Sequence, residues 1–305
     1  CRFLIQASSR IVNAHALPVR ALCAPMSPVN ATDPYWGPID AMHQFCEAKY
    51  AVSPHIAEFW NAFSNIPTFV LPALYGLSRT MRATQDLRLI LLWVNMLLIG
   101  IGSFMFHSTM RFKWEMLDEL PMLFLVLNGI ASKDDTHWVT SGIRKVLIHI
   151  VSLGGGAVGM YAYIRLSAYE LFLHTFTSLV LFDVALMVIC QGVRFDAHGS
   201  WVAGGCFFMY SIILGTGRVL WEVERQFCPM GSGGTMALLH VCWHGLAGTA
   251  TYFGILADMH NRWNVLGVGT AVDEPGRCWP LLGVVLGTRG WLRPADTQRA
   301  SSKRD

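Results

Sequence analysis

Polar side chains recur at helical spacing within otherwise apolar stretches of this chain. His240 and His244 lie four residues apart, as do Ser103 and His107, and Asp118 follows shortly after them. Residues four apart share one face of a helix. Three neutral imidazoles from two helices suit a catalytic zinc site, in which the fourth tetrahedral position is left for water. A serine and an aspartate nearby would add a hydrogen-bond donor and a proton acceptor, and the set would be hydrolytic.

Structural interpretations of the same residues are also open. A single histidine inside a membrane helix is more often a packing residue than a metal ligand, and two histidines four apart form a weak motif. Ser103 could bond a carbonyl of its own helix. Asp118 and Glu119 stand just before Pro121, and they could simply offset the dipole of a helix N-terminus.

Three other polar residues within apolar stretches receive only the structural interpretation. They are His149, His174 and Asp183. Because a single polar residue is a weak signal of function, we expect these three to form hydrogen bonds inside a helical bundle.

The composition indicates the solvent in which the chain folds. Of its 305 residues, 53% are hydrophobic and only 14% are charged, and the mean hydropathy is +0.41. Soluble domains carry about a quarter charged residues, so this surface is too apolar for water. A disordered chain, a coiled coil and an ordinary cytosolic enzyme are excluded. The formal charge is only +3 and the basic residues are scattered, which excludes nucleic acid as a partner.

Apolar windows of sufficient length define the elements that carry the candidate residues. A bilayer core about 30 Å thick requires about 20 mostly apolar residues per helix, and backbone groups in lipid must satisfy one another. The sequence therefore predicts an all-α integral membrane bundle of seven transmembrane helices with an intramembrane zinc site. The predicted spans cover residues 59–78, 89–110, 114–132, 146–164, 171–193, 197–217 and 236–256.

Helix direction brings the candidate residues to one level of the membrane. The second span runs toward the N-terminal side and ends near His107, whereas the third and seventh spans leave from that side. Asp118 and His240 are expected in the first turns of those two spans. Similar depth favours one shared site. A metal transporter would instead stagger its polar residues along a path.

Charges in the connections predict the orientation. Eight Lys and Arg flank the membrane on the side of the C-terminus and six on the side of the N-terminus, so the positive-inside rule predicts a luminal N-terminus and a cytosolic C-terminus. The sequon Asn30-Ala31-Thr32 is compatible with a luminal position. We divide the chain into an N-terminal extension (1–34) of uncertain or disordered structure, a seven-helix domain (35–260) and a disordered cytosolic tail (261–305).

Several motifs in fixed order resemble those of the alkaline ceramidases. They are FCEAKY (45–50), IAEFWN (56–61), SN (64–65), GS (102–103), LDELPM (117–122) and HVCWH (240–244). The resemblance covers roughly residues 35–260. It implies a zinc-dependent membrane amidase that hydrolyses ceramide to a sphingoid base and a free fatty acid in the endoplasmic reticulum or Golgi. The family belongs to a superfamily of seven-helix membrane hydrolases that includes the adiponectin receptors.

The resemblance also implies a role for each candidate residue. His107, His240 and His244 would bind zinc, and Ser103 and Asp118 would be catalytic. Asp118 would carry a proton from water to the leaving amine, with Glu119 as the next candidate for that role. Ser103 would donate to the oxyanion. The expected partners are the ceramide lipid and the bilayer, without an obligate protein partner.

One part of the family pattern is broken. The family binds calcium before its first span through positions that correspond here to Gln44, Phe45, Glu47, Lys49 and Glu58. Gln44 and Lys49 replace an aspartate and an asparagine of that set. Calcium prefers several oxygen ligands with excess negative charge, so calcium binding is doubtful. Either Lys49 takes the place of the ion and ties Glu47 to Glu58, or it points into solvent.

The eight cysteines include no CxxC pair, so a thiolate zinc site is not predicted. The family has a disulfide at the positions of Cys46 and Cys228, and both lie on the predicted luminal side, where thiols can be oxidised. Cys190, Cys206 and Cys242 fall within predicted spans and are interpreted as packing residues.

Two functions fit these observations. The first is the zinc-dependent ceramide amidase, and the second is a seven-helix receptor of the same superfamily with structural zinc and little hydrolase activity. Ser103 and Asp118, at the level of the three histidines, favour the enzyme.

Overall fold

The computed structural model of the chain describes residues 34–134, 142–192, 201–228, 236–265, 270–272 and 292–294. Its helices are α1 (Phe59–Asn65), a π-helical segment (Ile66–Val70), α2 (Leu71–Ala83), α3 (Leu87–Thr109), α4 (Phe112–Ser132), α5 (Gly142–Leu166), α6 (Tyr169–Gly192), α7 (Trp201–Phe227) and α8 (Ala237–Val265). Two short strands, β1 (Thr270–Val272) and β2 (Leu292–Pro294), pair antiparallel. Since α1, the π-helical segment and α2 are continuous, the described helices form seven consecutive rods, one at each predicted span.

Four helical stretches in the described part of the chain are long and apolar enough to cross a membrane by length and composition. They are Leu87–Thr109, Gly142–Leu166, Tyr169–Ile189 and Gly204–Phe227. These four helices make the chain an integral membrane protein. The remaining rods are more polar or interrupted, because α4 carries Glu115, Asp118 and Glu119, and the π-helical segment with its proline interrupts the first rod.

The ends of α3 follow from local sequence signals. Asp86 caps the N-terminus, since its carboxylate accepts a hydrogen bond from the backbone N of Arg88 at 3.0 Å. Met110, at the C-cap, has a left-handed φ of 51° and ends the helix. The chain then reverses direction and continues as α4 from Phe112. The antiparallel pair brings Asp118 to the level of Ser103, one helical turn from His107. Asp118 lies in the second turn of α4 rather than in the first, because α4 begins at Phe112.

The core lies around α3 and α8. Trp93 and Met96 of α3 and Trp263 of α8 are among its fully enclosed side chains. Beyond this core, α7 packs along α8, α3 along α4, and α5 against α6. The outer face of α5 exposes apolar residues such as Ile150 and Val158, as expected for a helix that faces lipid.

Several sequence-based predictions are corrected. Lys133, counted among the basic residues of a connection, is fully buried, and His174, expected in the interior, is exposed. Helix α8 continues to Val265, past the boundary predicted at residue 260, and the predicted tail contributes β1 and β2. The sequon at residues 30–32, the side chain of Cys190, residues 1–33 of the N-terminal extension and the rest of the tail lie outside the described residues.

Candidate metal centre

Three histidines converge inside the bundle. His107 comes from α3, and His240 and His244 come from successive turns of α8. One ring nitrogen from each lies within 4.8 Å of the other two, and the three side chains are at most 3% exposed. The interpretation of these histidines as separate packing residues is therefore not supported. The described residues contain a buried group that could hold a metal ion.

Each imidazole is held by its Nδ1 atom. His107 Nδ1 lies 2.5 Å from Glu58 Oε2, His240 Nδ1 lies 3.1 Å from Glu224 Oε2, and His244 Nδ1 lies 2.7 Å from Ser64 Oγ. Such outer partners fix the orientation of metal-binding histidines and leave Nε2 for the ion. His107 Nε2 is buried and has no hydrogen-bond partner among the described residues. A metal ion would satisfy that atom.

Backbone pairing brings Glu58 to His107. The segment before α1 runs beside the end of α3, and the N–H groups of Ala57 and Glu58 donate to the carbonyls of Ser108 and His107, both at 2.9 Å. Ser64 lies at the end of α1, directly before the π-helical segment. Segments of π-helix occur often at functional sites because they re-aim neighbouring side chains.

Ser103 and Asp118 meet where α3 and α4 approach most closely. A Cβ atom at Gly102 would lie 2.3 Å from the carbonyl oxygen of Leu117, so only glycine permits this contact. The next residue of each helix, Ser103 and Asp118, lies beside this contact, and both side chains line the apolar cavity described below. Ser103 is 2% exposed.

Lys49 points inward, toward residues that the sequence analysis matched to calcium ligands. Its Nζ donates to the backbone oxygens of Phe45 at 2.9 Å and Glu47 at 3.1 Å, and it forms an ion pair with Glu58 Oε1. The alternative, a lysine that points into solvent, is wrong. Burial alone raises the pKa of Glu58, but Lys49 and His107 together hold it well below its usual value.

Glu47 caps α1 instead of facing Lys49 with its carboxylate. Its two oxygens accept hydrogen bonds from the backbone N of Trp60 and of Asn61, both at 2.8 Å. Burial raises the pKa of Glu47, and these two backbone donors oppose the shift. Lys49 therefore ties the backbone of Glu47, rather than its carboxylate, to Glu58.

The sulfur atoms of Cys46 and Cys228 are joined, with their Cα atoms 5.6 Å apart. The bond fastens the segment before α1 to the end of α7, where Glu224 also accepts a hydrogen bond from the backbone N of Cys46 at 3.0 Å. Cys206 is buried, as a packing residue would be, but Cys242 is exposed. The interpretation of Cys242 as a packing residue is wrong.

A long apolar cavity opens beside the histidines. At one end its lining includes Ser103, Asp118 and Glu119 together with His240 and His244, and aromatic and aliphatic side chains line the length of it. Glu119 is 4% exposed, and its Oε2 has no hydrogen-bond partner among the described residues. An apolar slot with a few convergent polar groups is typical of a site for a lipid-like ligand.

Sequence reasoning missed the outer partners of the histidines. Glu224 was placed in a connection, whereas α7 continues to Phe227. Glu58 was considered only as a calcium-site position, and Ser64 only as part of a motif. Glu224 lies 16 residues before His240, and the packing of α7 on α8 brings the two side chains together.

The fold and the site define a membrane-embedded helical protein with a buried three-histidine centre at the mouth of an apolar cavity. Residues 37–279 match the ceramidase family. The chain belongs to this family, which confirms the resemblance identified from the motifs.

Named relatives agree with this assignment. The chain is 25% identical over 248 residues to alkaline ceramidase 3 of Mus musculus, an alignment that covers 78% of this chain and 90% of the mouse protein. It is 33% identical over 216 residues to the alkaline ceramidase of Drosophila melanogaster, covering 68% and 72%. With the alkaline ceramidase of Arabidopsis thaliana it shares 26% over 227 residues, covering 69% and 79%.

Proposed function

We propose that the protein is a zinc-dependent membrane amidase that hydrolyses ceramide to a sphingoid base and a free fatty acid. The observation that carries the proposal is the convergence of three oriented histidines with Ser103 and Asp118 at one end of an apolar cavity. Membership of the ceramidase family and relatives named alkaline ceramidases support the substrate class.

Zinc is the metal that this donor set fits. Three neutral imidazoles with an open fourth position are the ligands of catalytic zinc sites. Such an ion would also explain the buried Nε2 of His107, which has no hydrogen-bond partner within the described part of the chain. When bound, zinc lowers the pKa of water toward about 7 and polarises a carbonyl group.

The protein side chains would handle the protons and the developing charge. Asp118 accepts a proton from the attacking water and returns it to the nitrogen of the leaving amine. Ser103 donates a hydrogen bond to the amide oxygen as the tetrahedral intermediate forms, where one such donor is worth about 3 kcal/mol in a dry site. The apolar cavity excludes bulk water and holds a hydrocarbon chain of the lipid.

We infer that all seven rods cross the membrane, with the N-terminal side luminal. The joined Cys46 and Cys228 lie at that side, and disulfides persist in oxidising compartments such as the lumen of the endoplasmic reticulum. The same reasoning supports residence in the endoplasmic reticulum or Golgi and a cytosolic C-terminus. The partners of the protein are the ceramide lipid and the surrounding bilayer, with no obligate protein partner.

Lys49 replaces calcium in this proposal. Its ammonium group contacts two backbone oxygens and the Glu58 carboxylate, which are the kinds of ligand that calcium would use. A second cation at the same point would be repelled. The protein would therefore use one metal ion, zinc, and no calcium.

A hydrolysis assay with purified protein tests the proposal. We expect fatty acid release from a fluorescent ceramide, its loss after treatment with a strong zinc chelator, and its return with added zinc. The Asp118→Asn variant serves as the inactive control. Normal zinc content by elemental analysis with no hydrolysis would support the receptor alternative instead.

A further inference from the structure

The far end of the cavity is closed by a buried cluster of charges, which we call the Lys133 cluster. Lys133 Nζ donates to Asp183 Oδ1 and to Asp258 Oδ1, both at 2.8 Å, and to the backbone oxygen of Gly129 at 2.9 Å. Lys133 follows α4, Asp183 belongs to α6 and Asp258 to α8. The cluster therefore ties three helices together at one point.

The cavity extends as far as the carboxylates of this cluster. Its lining includes Gly129, Asp183 and Asp258 at the end away from the histidines. Next to the cluster, Arg262 donates to the backbone oxygen of Asp134 at 3.2 Å and Arg88 to that of Ala131 at 3.3 Å. A charged layer thus separates the apolar slot from the opposite side of the protein.

The charges of the Lys133 cluster make this end of the cavity rigid and keep a hydrocarbon chain from passing it. The buried ammonium is held between two carboxylates by mutual attraction, and loss of the lysine would leave both carboxylates uncompensated. A methyl group pressed among these atoms would desolvate them without offering a hydrogen bond. The missing side chain of Gly129 does not lengthen the cavity, since even a single Cβ atom at that position would lie only 3.2 Å from Asp258 Oδ2.

We propose that the Lys133 cluster is the stop that sets the maximum length of the substrate hydrocarbon chain. The inference rests on the proposed function. From His244 to Asp258, α8 rises about 21 Å at 1.5 Å per residue. A carbon–carbon single bond is about 1.5 Å long, and an extended chain advances less than that per bond, so the slot holds at least about 14 carbons.

Selectivity here comes from exclusion rather than attraction. The substrate arrives from a bilayer whose lipid tails are as apolar as the cavity lining, so added methylene groups gain little on entry. A chain that is too long must buckle in a packed slot or leave carbons outside it, and either costs binding. Discrimination by an obstacle against the wrong substrate is a general route to specificity.

Adjacent residues of α6 provide a matched test. Val180 lines the cavity three residues before Asp183, whereas its neighbour Leu181 is 63% exposed on the outer face. Val180→Phe should move the closed end of the cavity about 4.5 Å toward the histidines, at 1.5 Å per residue. The longest chain that fits should then be shorter by about three carbons. Leu181→Phe adds a similar ring outside the cavity and should leave the limit unchanged.

The measurement is the rate of hydrolysis over two substrate series, in detergent micelles. One series varies the acyl chain with a fixed sphingoid base, and the other varies the sphingoid chain with a fixed acyl group. We expect the rate to fall by about tenfold, as over-packing predicts, beyond a limiting length in one series. The series that shows the limit identifies the chain that fills the cavity.

A limit that is absent, or that stays the same in Val180→Phe while hydrolysis persists, overturns the inference and leaves the proposed function intact. No hydrolysis by the unmodified protein would instead reject the proposed function. If Val180→Phe has a lowered melting temperature or zinc content, Val180→Leu makes a smaller step, and a shift of the limit by about one carbon is expected.

Discussion

Glu58 and His107 are joined by a contact of 2.5 Å between Oε2 and Nδ1, while the other oxygen of the same carboxylate pairs with Lys49. One buried carboxylate therefore links a lysine before the first helix to a histidine of the candidate metal centre. The link makes Lys49 more than a replacement for an ion, because its charge helps to keep Glu58 ionised and able to orient His107.

Calcium should have no effect on activity. The Lys49 ammonium already contacts the available oxygens, and calcium affinity depends on the negative charge of the ligand set. We expect equal hydrolysis rates with added calcium and with a calcium-selective chelator. The double change Gln44→Asp with Lys49→Asn restores two oxygen ligands and should create calcium dependence. Loss of activity of the unmodified protein in the chelator, with recovery on adding calcium, would show that calcium binds through other oxygens.

Replacing a histidine of the centre should remove both metal and activity. His107→Ala, His240→Ala and His244→Ala each delete one of three ligands, so zinc content by elemental analysis and ceramide hydrolysis should both be lost. His174→Ala is the matched control, because His174 is an exposed histidine of the same bundle. Full zinc and full activity in any of the three variants would reject the assignment.

Asp118 and Ser103 should affect the rate without affecting the metal. Asp118→Asn keeps the shape of the side chain but cannot accept the proton, so hydrolysis should be lost at normal zinc content. Ser103→Ala should slow hydrolysis by about 10² to 10³-fold, as for other oxyanion donors. If Asp118→Asn turns over normally, the proton acceptor is another group, and Glu119→Gln is the next variant to measure.

Glu224 should strengthen metal binding through His240. Its carboxylate holds His240 Nδ1, and loss of such a partner typically costs 10- to 100-fold in metal affinity. Glu224→Gln should show this weakening in a zinc competition titration with a chromogenic chelator. Glu222→Gln is the matched control, since Glu222 belongs to the same helix but pairs with Arg218 and Arg225. Equal affinities in the two variants would contradict the role of Glu224.

Cys46 and Cys228 should resist alkylation until the protein is reduced. The bond closes a loop with a sequence separation of 182 residues, for which the loop-entropy model gives about 4 kcal/mol or more. Peptide mapping after alkylation with and without reductant checks this prediction, since both cysteines should be modified only after reduction. Alkylation of both Cys46 and Cys228 without reductant would contradict the bond and the luminal orientation together.

The positions of the helices and the grouping of the three histidines could be predicted from the sequence, for physical reasons. Hydropathy placed one window on each of the seven described rods, and four of these rods are long and apolar enough to cross a membrane by length and composition. Helix direction predicted similar depth for His107, Asp118 and His240; the three histidines do converge, and Asp118 lies at the level of Ser103, one turn from His107. The spacing of His240 and His244 fixed a common face. These features depend on local periodicity, which a sequence shows directly.

The outer partners depend on packing between distant segments, which a sequence does not show. Ser64 and His244 are 180 residues apart and meet only because α1 packs on α8. Lys133 follows the last apolar residues of α4 and resembles a solvated flanking charge until α6 and α8 bring two carboxylates to it. Asp183 was expected to form hydrogen bonds in the bundle, and it does so, but its partner is this buried lysine.

Helix α8 follows the other helices in the sequence, and this order has a consequence for biosynthesis. Helix α8 supplies His240 and His244 to the metal centre and Asp258 to the Lys133 cluster, so both polar clusters stay incomplete until the seventh rod is made. Membrane chains are synthesised from the N-terminus, and domains form in that order. Lys133 and Asp183 are therefore synthesised and inserted before Asp258, the second carboxylate of the cluster, exists. A chain that stops before α8 would leave Lys133 with one carboxylate instead of two and the metal centre with one histidine instead of three, a partly satisfied polar interior on which cellular quality control can act.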